Sequence, residues 1–369
     1  MLISNKVTNR DSDKPEESLY LDMTSSAKNA KLHYVNNFDK GFKRINRDNS
    51  ICYLDIKDSL ITDESELSRI KALAIPPAWT DVWICANKNG HIQATGFDLK
   101  GRKQYRYHPK WREKRDEIKF EHMLDFALQL PTIREVVNQA ISAKSISCEK
   151  VLAIIIALLE KTLIRIGNDN YVKNNNSFGL TTLRNRHVDV IGSDIKFQFR
   201  GKSGIQHQIQ LRDRRISRLI WKLKDIPGQN LFQYLDDENA IHAVSSSDVN
   251  DYLKEITGKE YTAKDFRTWY GTFYTMLTLS AFPPFKDLNE AKKNVAEAIK
   301  ETSKKLGNTP TICKKCYVHP LIIETYMAGE FVDLVESKRN LTTQEEILKV
   351  VELYVINLLK NKTGLIRVT

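Results

Sequence analysis

The sequence predicts an α+β chain, with a small β-rich N-terminal domain followed by a larger, mainly α-helical domain that contains a β-hairpin. Three observations carry this. Short β-branched and aromatic runs broken by Gly, Asp and Asn fill residues 33–116, helical periodicity takes over after about residue 117, and the words IKFQFR and IQHQIQL flank the turn GKSG inside that helical region. At 369 residues with 41% apolar positions, the chain is long enough for two packed cores.

Residues 1–30 are rich in Ser, Asn, Lys and Asp and read as a flexible leader. Residues 31–118 form the expected β-rich domain, through SICYLDIKD, DVWICANKNGHIQATGFD and KQYRYHP. Asn89-Gly90 between two such runs predicts a tight hairpin turn. One helix is expected from Asp63 to Ala74, stopped by Pro76 and Pro77. Residues 119–369 form the expected helical domain, joined to the first near residues 116–120. It begins with FEHMLDFALQL, continues with TIREVVNQAIS, and centres on a helix from Cys148 to Ile166 that is apolar nearly all round. Further helices are expected at 214–223, 247–257, 262–280, 289–306 and 343–359.

Lys+Arg 57 against Asp+Glu 46 gives a net charge of +11, which favours a polyanionic partner. Five cysteines, an odd number in a long chain, argue for a reducing compartment and against a disulfide framework. The first residues lack an apolar signal segment, and the apolar run Val151–Leu159 is too short for a bilayer, so a soluble, cytoplasmic protein without membrane contact is expected. Cys313-x-x-Cys316 has metal spacing but no second ligand pair, so no metal and no cofactor are expected.

Two constellations could carry chemistry. The segment from Lys100 to Arg115, KGRKQYRYHPKWREKR, interleaves eight Lys/Arg with Tyr105, Tyr107 and Trp111, a pattern suited either to nucleic acid or to a solvated edge strand. In a strand, Gln104 and Arg106 face one way and the two tyrosines the other. The second is spread over Arg165 in LIRIGNDNY, Lys202 in RGKSG, Arg267 in KDFRTW and Tyr317 in NTPTICKKCYVHP. Taken singly, each has an ordinary structural reading: a helix-end cap, a turn lysine, an ion-paired arginine, a half-buried tyrosine.

Their order and local words change that reading. The series IPPAW, GHIQATG, GRKQYRYHPKWRE, FGLTTLRNRHV, FRGKSG, PGQNLFQYLD, VNDYLKEITG, TAKDFRTW and GNTPTICKKCYVHP, from about Leu67 to about Gly329, resembles the type IB DNA topoisomerases of the small poxvirus-like and bacterial branch. That resemblance implies an active site of Arg165, Lys202, Arg267, Asn308 and Tyr317, with Tyr317 as nucleophile and Lys202 as general acid. It implies DNA contacts from Gln104, Tyr105, Tyr107, Tyr171 and Lys264, and a monomer that clamps duplex DNA between two lobes, nucleoid-associated if bacterial. It further implies relaxation of supercoils of both signs through a 3′-phosphotyrosine, without ATP or metal. The poxvirus members carry a histidine nine residues before the nucleophile, where this chain has Asn308, as the bacterial branch does. An amide still donates a hydrogen bond but carries no charge. A tyrosine recombinase or integrase is the alternative, since it shares the Arg, Lys and Tyr chemistry, but its N-terminal domain is helical. A DNA-binding protein without catalysis would need neither Lys202 at a hairpin tip nor Tyr317.

Overall fold

The computed structural model describes residues 24–47, 50–99, 101–338 and 341–362. It divides into two compact units, residues 1–119 and 120–369. Among the described residues, no helix is long and apolar enough to cross a membrane.

The first unit is a five-stranded antiparallel sheet in the order β2-β1-β3-β4-β5, from β1 (Phe42–Arg47), β2 (Ser50–Leu54), β3 (Thr80–Ile84), β4 (Ile92–Phe97) and β5 (Lys103–Tyr107). Helix α1 (Glu64–Ala72) starts where the Asp63 side chain accepts from the backbone N–H of Glu66, and its Ile70 packs with Val82, Ile84 and Ala94. The expected leader falls largely outside the described residues. Its described end, residues 24–29, is helical, and Ala27 is buried with Leu32 and Trp111, so order begins before residue 31.

Asn89-Gly90 does not form the expected two-residue turn. The strands are joined by the longer segment 85–91, turned by the Gly90 N–H donating to the Asn87 carbonyl at 2.9 Å. The Gln93 amide holds this wider loop by donating to the carbonyls of Asn87, Lys88 and Gly90.

The two expected helices after residue 117 are instead one helix of 34 residues, α2 (Pro109–Ser142), which contains Pro131 and begins well before the expected boundary. Pro109 suits a helix start because its missing N–H is one that the first turn leaves unbonded anyway. The His108 ring helps by accepting from the Lys110 N–H at 3.2 Å. The stretch 116–120, expected to be a joint, is therefore helical.

The second unit packs around α3 (Cys148–Thr162), in which every residue from Val151 to Leu159 is buried. The helix ends earlier than expected, at Leu163 in the left-handed conformation with φ of 56°. The short α4 (Asp169–Asn175) follows. The expected hairpin is β7 (Asp194–Arg200) and β8 (Gln206–Arg212), extended to three strands by β6 (Val188–Ile191). A second small sheet pairs β9 (Gln233–Leu235) with β10 (Ile241–Ala243). Helices α5 (Arg214–Lys224), α6 (Ser246–Thr257), α7 (Ala263–Leu279) and α8 (Leu288–Leu306) lie within a residue of their expected positions. Three short helices, α9 (Pro310–Tyr317), α10 (Pro320–Met327) and α11 (Val332–Lys338), were not legible in the sequence, and α12 (Gln344–Lys362) closes the described chain. The fold is α+β, as the sequence predicts.

Candidate active site

The second unit gathers site residues from four widely separated stretches of chain. Arg165 stands just after the left-handed turn that ends α3, so the chain leaves the core helix sharply and delivers a half-buried guanidinium. Its Nη2 donates to the Gly307 carbonyl at 3.3 Å and to the Asn308 side-chain oxygen. Arg267 lies on α7 and is only 4% exposed. It donates to the Leu163 carbonyl and, at 2.7 Å, to the Leu306 carbonyl, which ties the end of α3 to the end of α8.

Tyr317 is the last residue of α9 and is half-buried. The Arg267 guanidinium sits over its ring, 5.3 Å from the centroid. Two α7 residues fix the tyrosine backbone. Thr272 Oγ1 donates to the Tyr317 carbonyl at 3.1 Å and accepts from the His319 N–H at 2.9 Å. Gly271 allows the close approach, because a Cβ there would stand 2.7 Å from Tyr317 Cβ. Gly271 follows Arg267 by four residues and so shares its helix face. Neither residue was singled out in the sequence; a glycine inside an apolar helix, one turn after Arg267, was the available signal.

Lys202 is exposed at the tip of the β7-β8 hairpin, where Ser203 takes a φ of 65°. It lines a small cavity of about 10 Å³ together with Arg165, Arg267 and His207, room for about one water. A neighbouring cavity of about 190 Å³ is lined by Arg165, Lys202, Asn168, Phe178 and Tyr171, the last 48% exposed. Asn308 directly precedes Thr309, the residue that caps α9.

The electrostatics are those of a site built for an anion. Burial lowers the Arg165 pKa, with the Tyr317 phenol offsetting part of this. Burial and then Arg165 lower that of Arg267, again opposed by Tyr317. Two buried donors, Arg267 Nε and Asn308 Nδ2, have no hydrogen-bond partner among the described residues. Buried donors are rarely left unbonded, and a phosphate oxygen is the acceptor that two guanidiniums and an amide fit best.

In the first unit, Tyr105 and Tyr107 stack on one face of β5 with centroids 5.8 Å apart, and Lys103 lies over the Tyr105 ring. Gln104 and Arg106 take other directions: Gln104 donates to Asp98 at 2.9 Å and Arg106 to the Ala74 carbonyl at 2.6 Å. Part of the basic segment thus bonds within its own unit. Lys264, in the first turn of α7, is exposed.

Comparison with known proteins identifies the family. Residues 108–344 match the family model of the eukaryotic DNA topoisomerase I catalytic core, and residues 50–98 that of the bacterial DNA topoisomerase IB N-terminal domain. The chain is 33% identical over 281 residues to DNA topoisomerase 1B of Acanthamoeba polyphaga mimivirus, covering 74% of this chain and 83% of that one. It is 28% identical over 264 residues to DNA topoisomerase 1B of Vaccinia virus strain Copenhagen, covering 69% and 78%. With DNA topoisomerase 1 of Rabbit fibroma virus it shares 25% identity over 305 residues, covering 78% and 89%. The chain therefore belongs to the type IB DNA topoisomerases, in the small viral and bacterial branch.

Proposed function

We propose that the topoisomerase activity runs through Tyr317, with Arg165, Lys202, Arg267 and Asn308 as the rest of the catalytic set. The observation that carries this reading is the buried Arg267 over the Tyr317 ring, with Arg267 Nε and Asn308 Nδ2 both lacking an acceptor. The two guanidiniums stabilise the five-coordinate phosphorus that forms when the Tyr317 oxygen attacks. The Tyr317 Oη–P bond forms as the P–O5′ bond breaks. The phenol proton leaves to solvent, and Lys202 gives a proton to the departing 5′-oxygen.

The products are a 3′-phosphotyrosine and a 5′-hydroxyl. One ester has replaced another, so the hydroxyl attacks back without ATP, and rotation of the downstream duplex in between removes supercoils of either sign. The paired arginines supply the positive charge around the phosphate, so no metal is required. Asn308 contributes a neutral hydrogen bond to a non-bridging oxygen.

Gln104, Tyr105 and Tyr107 of the first unit and Tyr171 and Lys264 of the second contact the duplex. Each chain carries the whole catalytic set, so it acts as a monomer, and its cysteine usage suits a cytoplasmic setting. The test is relaxation of a supercoiled plasmid in EDTA without ATP. The expected result is a ladder of relaxed topoisomers that Tyr317→Phe abolishes; a requirement for ATP or Mg²⁺, or a fully active Tyr317→Phe, contradicts the reading.

A further inference from the structure

On β8, five residues after Lys202, the half-buried His207 stands opposite Phe199 in strand register and stacks on its ring, with centroids 5.0 Å apart and planes 17° apart. Two glycines leave room for the imidazole. A Cβ on Gly201 would come within 2.5 Å of His207 Cδ2, and a Cβ on Gly307 would run into Cε1 of the same ring. Gly201 directly precedes Lys202. Gly307 directly precedes Asn308, and its carbonyl accepts from Arg165. One flat ring therefore fills the space between the segment that carries Lys202 and the segment that carries Asn308, and it lines the same cavity as Arg165, Lys202 and Arg267.

We propose that His207 is a positioning residue, a spacer that sets the Lys202 hairpin against the Gly307–Asn308 turn so that the lysine meets the leaving 5′-oxygen. This rests on the reading of Lys202 as general acid. Neutrality suits the task. Burial, then Arg165 and Arg267, hold the imidazole below its ordinary pKa, and Lys202 and Lys305 also line the cavity. A charged ring among four cations would push the two segments apart.

The test uses a DNA duplex whose scissile 5′-oxygen is replaced by sulfur. A thiol, of pKa about 8.5, is far more acidic than an alcohol, so this leaving group departs without a proton donor. On ordinary DNA, His207→Ala should slow single-turnover cleavage about 100-fold, the size of effect that a misplacement of about 1 Å produces, with DNA affinity unchanged. On the sulfur substrate the same variant should cleave within about 3-fold of the unsubstituted protein, as should Lys202→Ala. Gly201→Ala displaces the ring from the other side and should show the same substrate-dependent defect, while Gly201→Ala combined with His207→Ala should be no slower than His207→Ala alone. His207→Phe, which keeps a ring in the gap, should restore most of the rate on ordinary DNA.

A defect in His207→Ala that is equal on both substrates, or no defect on either, overturns the proposal. If Lys202→Ala stays slow on the sulfur substrate, the general-acid reading itself fails and the inference falls with it. If Lys202→Ala recovers and neither His207→Ala nor Gly201→Ala does, only the role of His207 is refuted.

Discussion

Among the described residues of the second unit, Arg134 on one side and Arg165 with Arg267 on the other are partly or fully buried arginines compensated in opposite ways. Arg134 on α2 meets carboxylates, donating to Glu160 of α3 at 2.7 Å and to Glu352 of α12 at 2.8 and 2.9 Å, and it also reaches the Tyr270 hydroxyl of α7 at 3.0 Å. Burial alone would lower its pKa, but Glu352, Glu160 and Tyr270 together raise it far above the ordinary range. Arg165 and Arg267 hydrogen-bond to carbonyl and amide oxygens and sit beside a phenol, and their pKa values move down. The first arrangement stitches four helices together. The second holds positive charge without a carboxylate partner among the described residues, and in the proposed mechanism the scissile phosphodiester supplies that partner.

The largest expected effect separates the two groups by activity. Arg165→Ala or Arg267→Ala should lower the cleavage rate by about 10²- to 10³-fold, as loss of one transition-state donor does elsewhere. Arg134→Ala should leave the cleavage rate of folded protein near that of the unsubstituted chain. Single-turnover cleavage measures both, and a comparable loss in Arg134→Ala breaks the distinction.

The next effect reverses the order. Arg134→Ala leaves Glu160 and Glu352 without their cation and should cost about 3 kcal/mol of stability, read as a lower urea midpoint. Arg165→Ala should cost much less, since it removes a desolvated charge along with its bonds. Equal losses would remove the contrast.

A third, smaller effect asks the site for its missing anion. Inorganic phosphate at ten times its dissociation constant should stabilise the protein by about 1.4 kcal/mol, seen as a rise in Tm, and Arg165→Ala or Arg267→Ala should abolish that rise. Arg134→Ala should keep it.

The smallest effect concerns two histidines. His207, near the uncompensated arginines, has its pKa lowered by burial and by both guanidiniums. The unfolded chain then binds the proton more readily, so stability falls as pH drops below about 6.5. The Asp265 carboxylate, 3.9 Å from the His122 ring, raises the pKa of His122, which contributes stability below its unfolded pKa that is lost as pH rises through the folded value. Urea midpoints between pH 5.5 and 8 should therefore become less acid-sensitive in His207→Phe and more acid-sensitive in His122→Phe. The same change of slope in both variants contradicts the assignment.

Much of this architecture was legible in the sequence. The core helix around Val151–Leu159 and the β7-β8 hairpin announce themselves by periodicity, because burial on all sides and strict alternation leave plain traces. Helix α2 was split at Pro131 because a helix tolerates an internal proline only where its surroundings hold it, and no local rule reports that. The short helix that ends at Tyr317 was missed because a few residues cannot display a period. The site residues were named from the resemblance. What the sequence hid were contacts across distant segments: the His207 ring between Gly201 and Gly307, and the fit of Gly271 against Tyr317. Two glycines 106 positions apart have no local signature.

The most direct measurement is denaturant trapping of the protein on nicked duplex DNA, followed by mapping of the attached nucleotide. The expected result is a covalent adduct through Tyr317 at a 3′-phosphate, absent in Tyr317→Phe and independent of EDTA. An adduct through another residue, a linkage at a 5′ end, or no adduct in a preparation that relaxes plasmid DNA would contradict it.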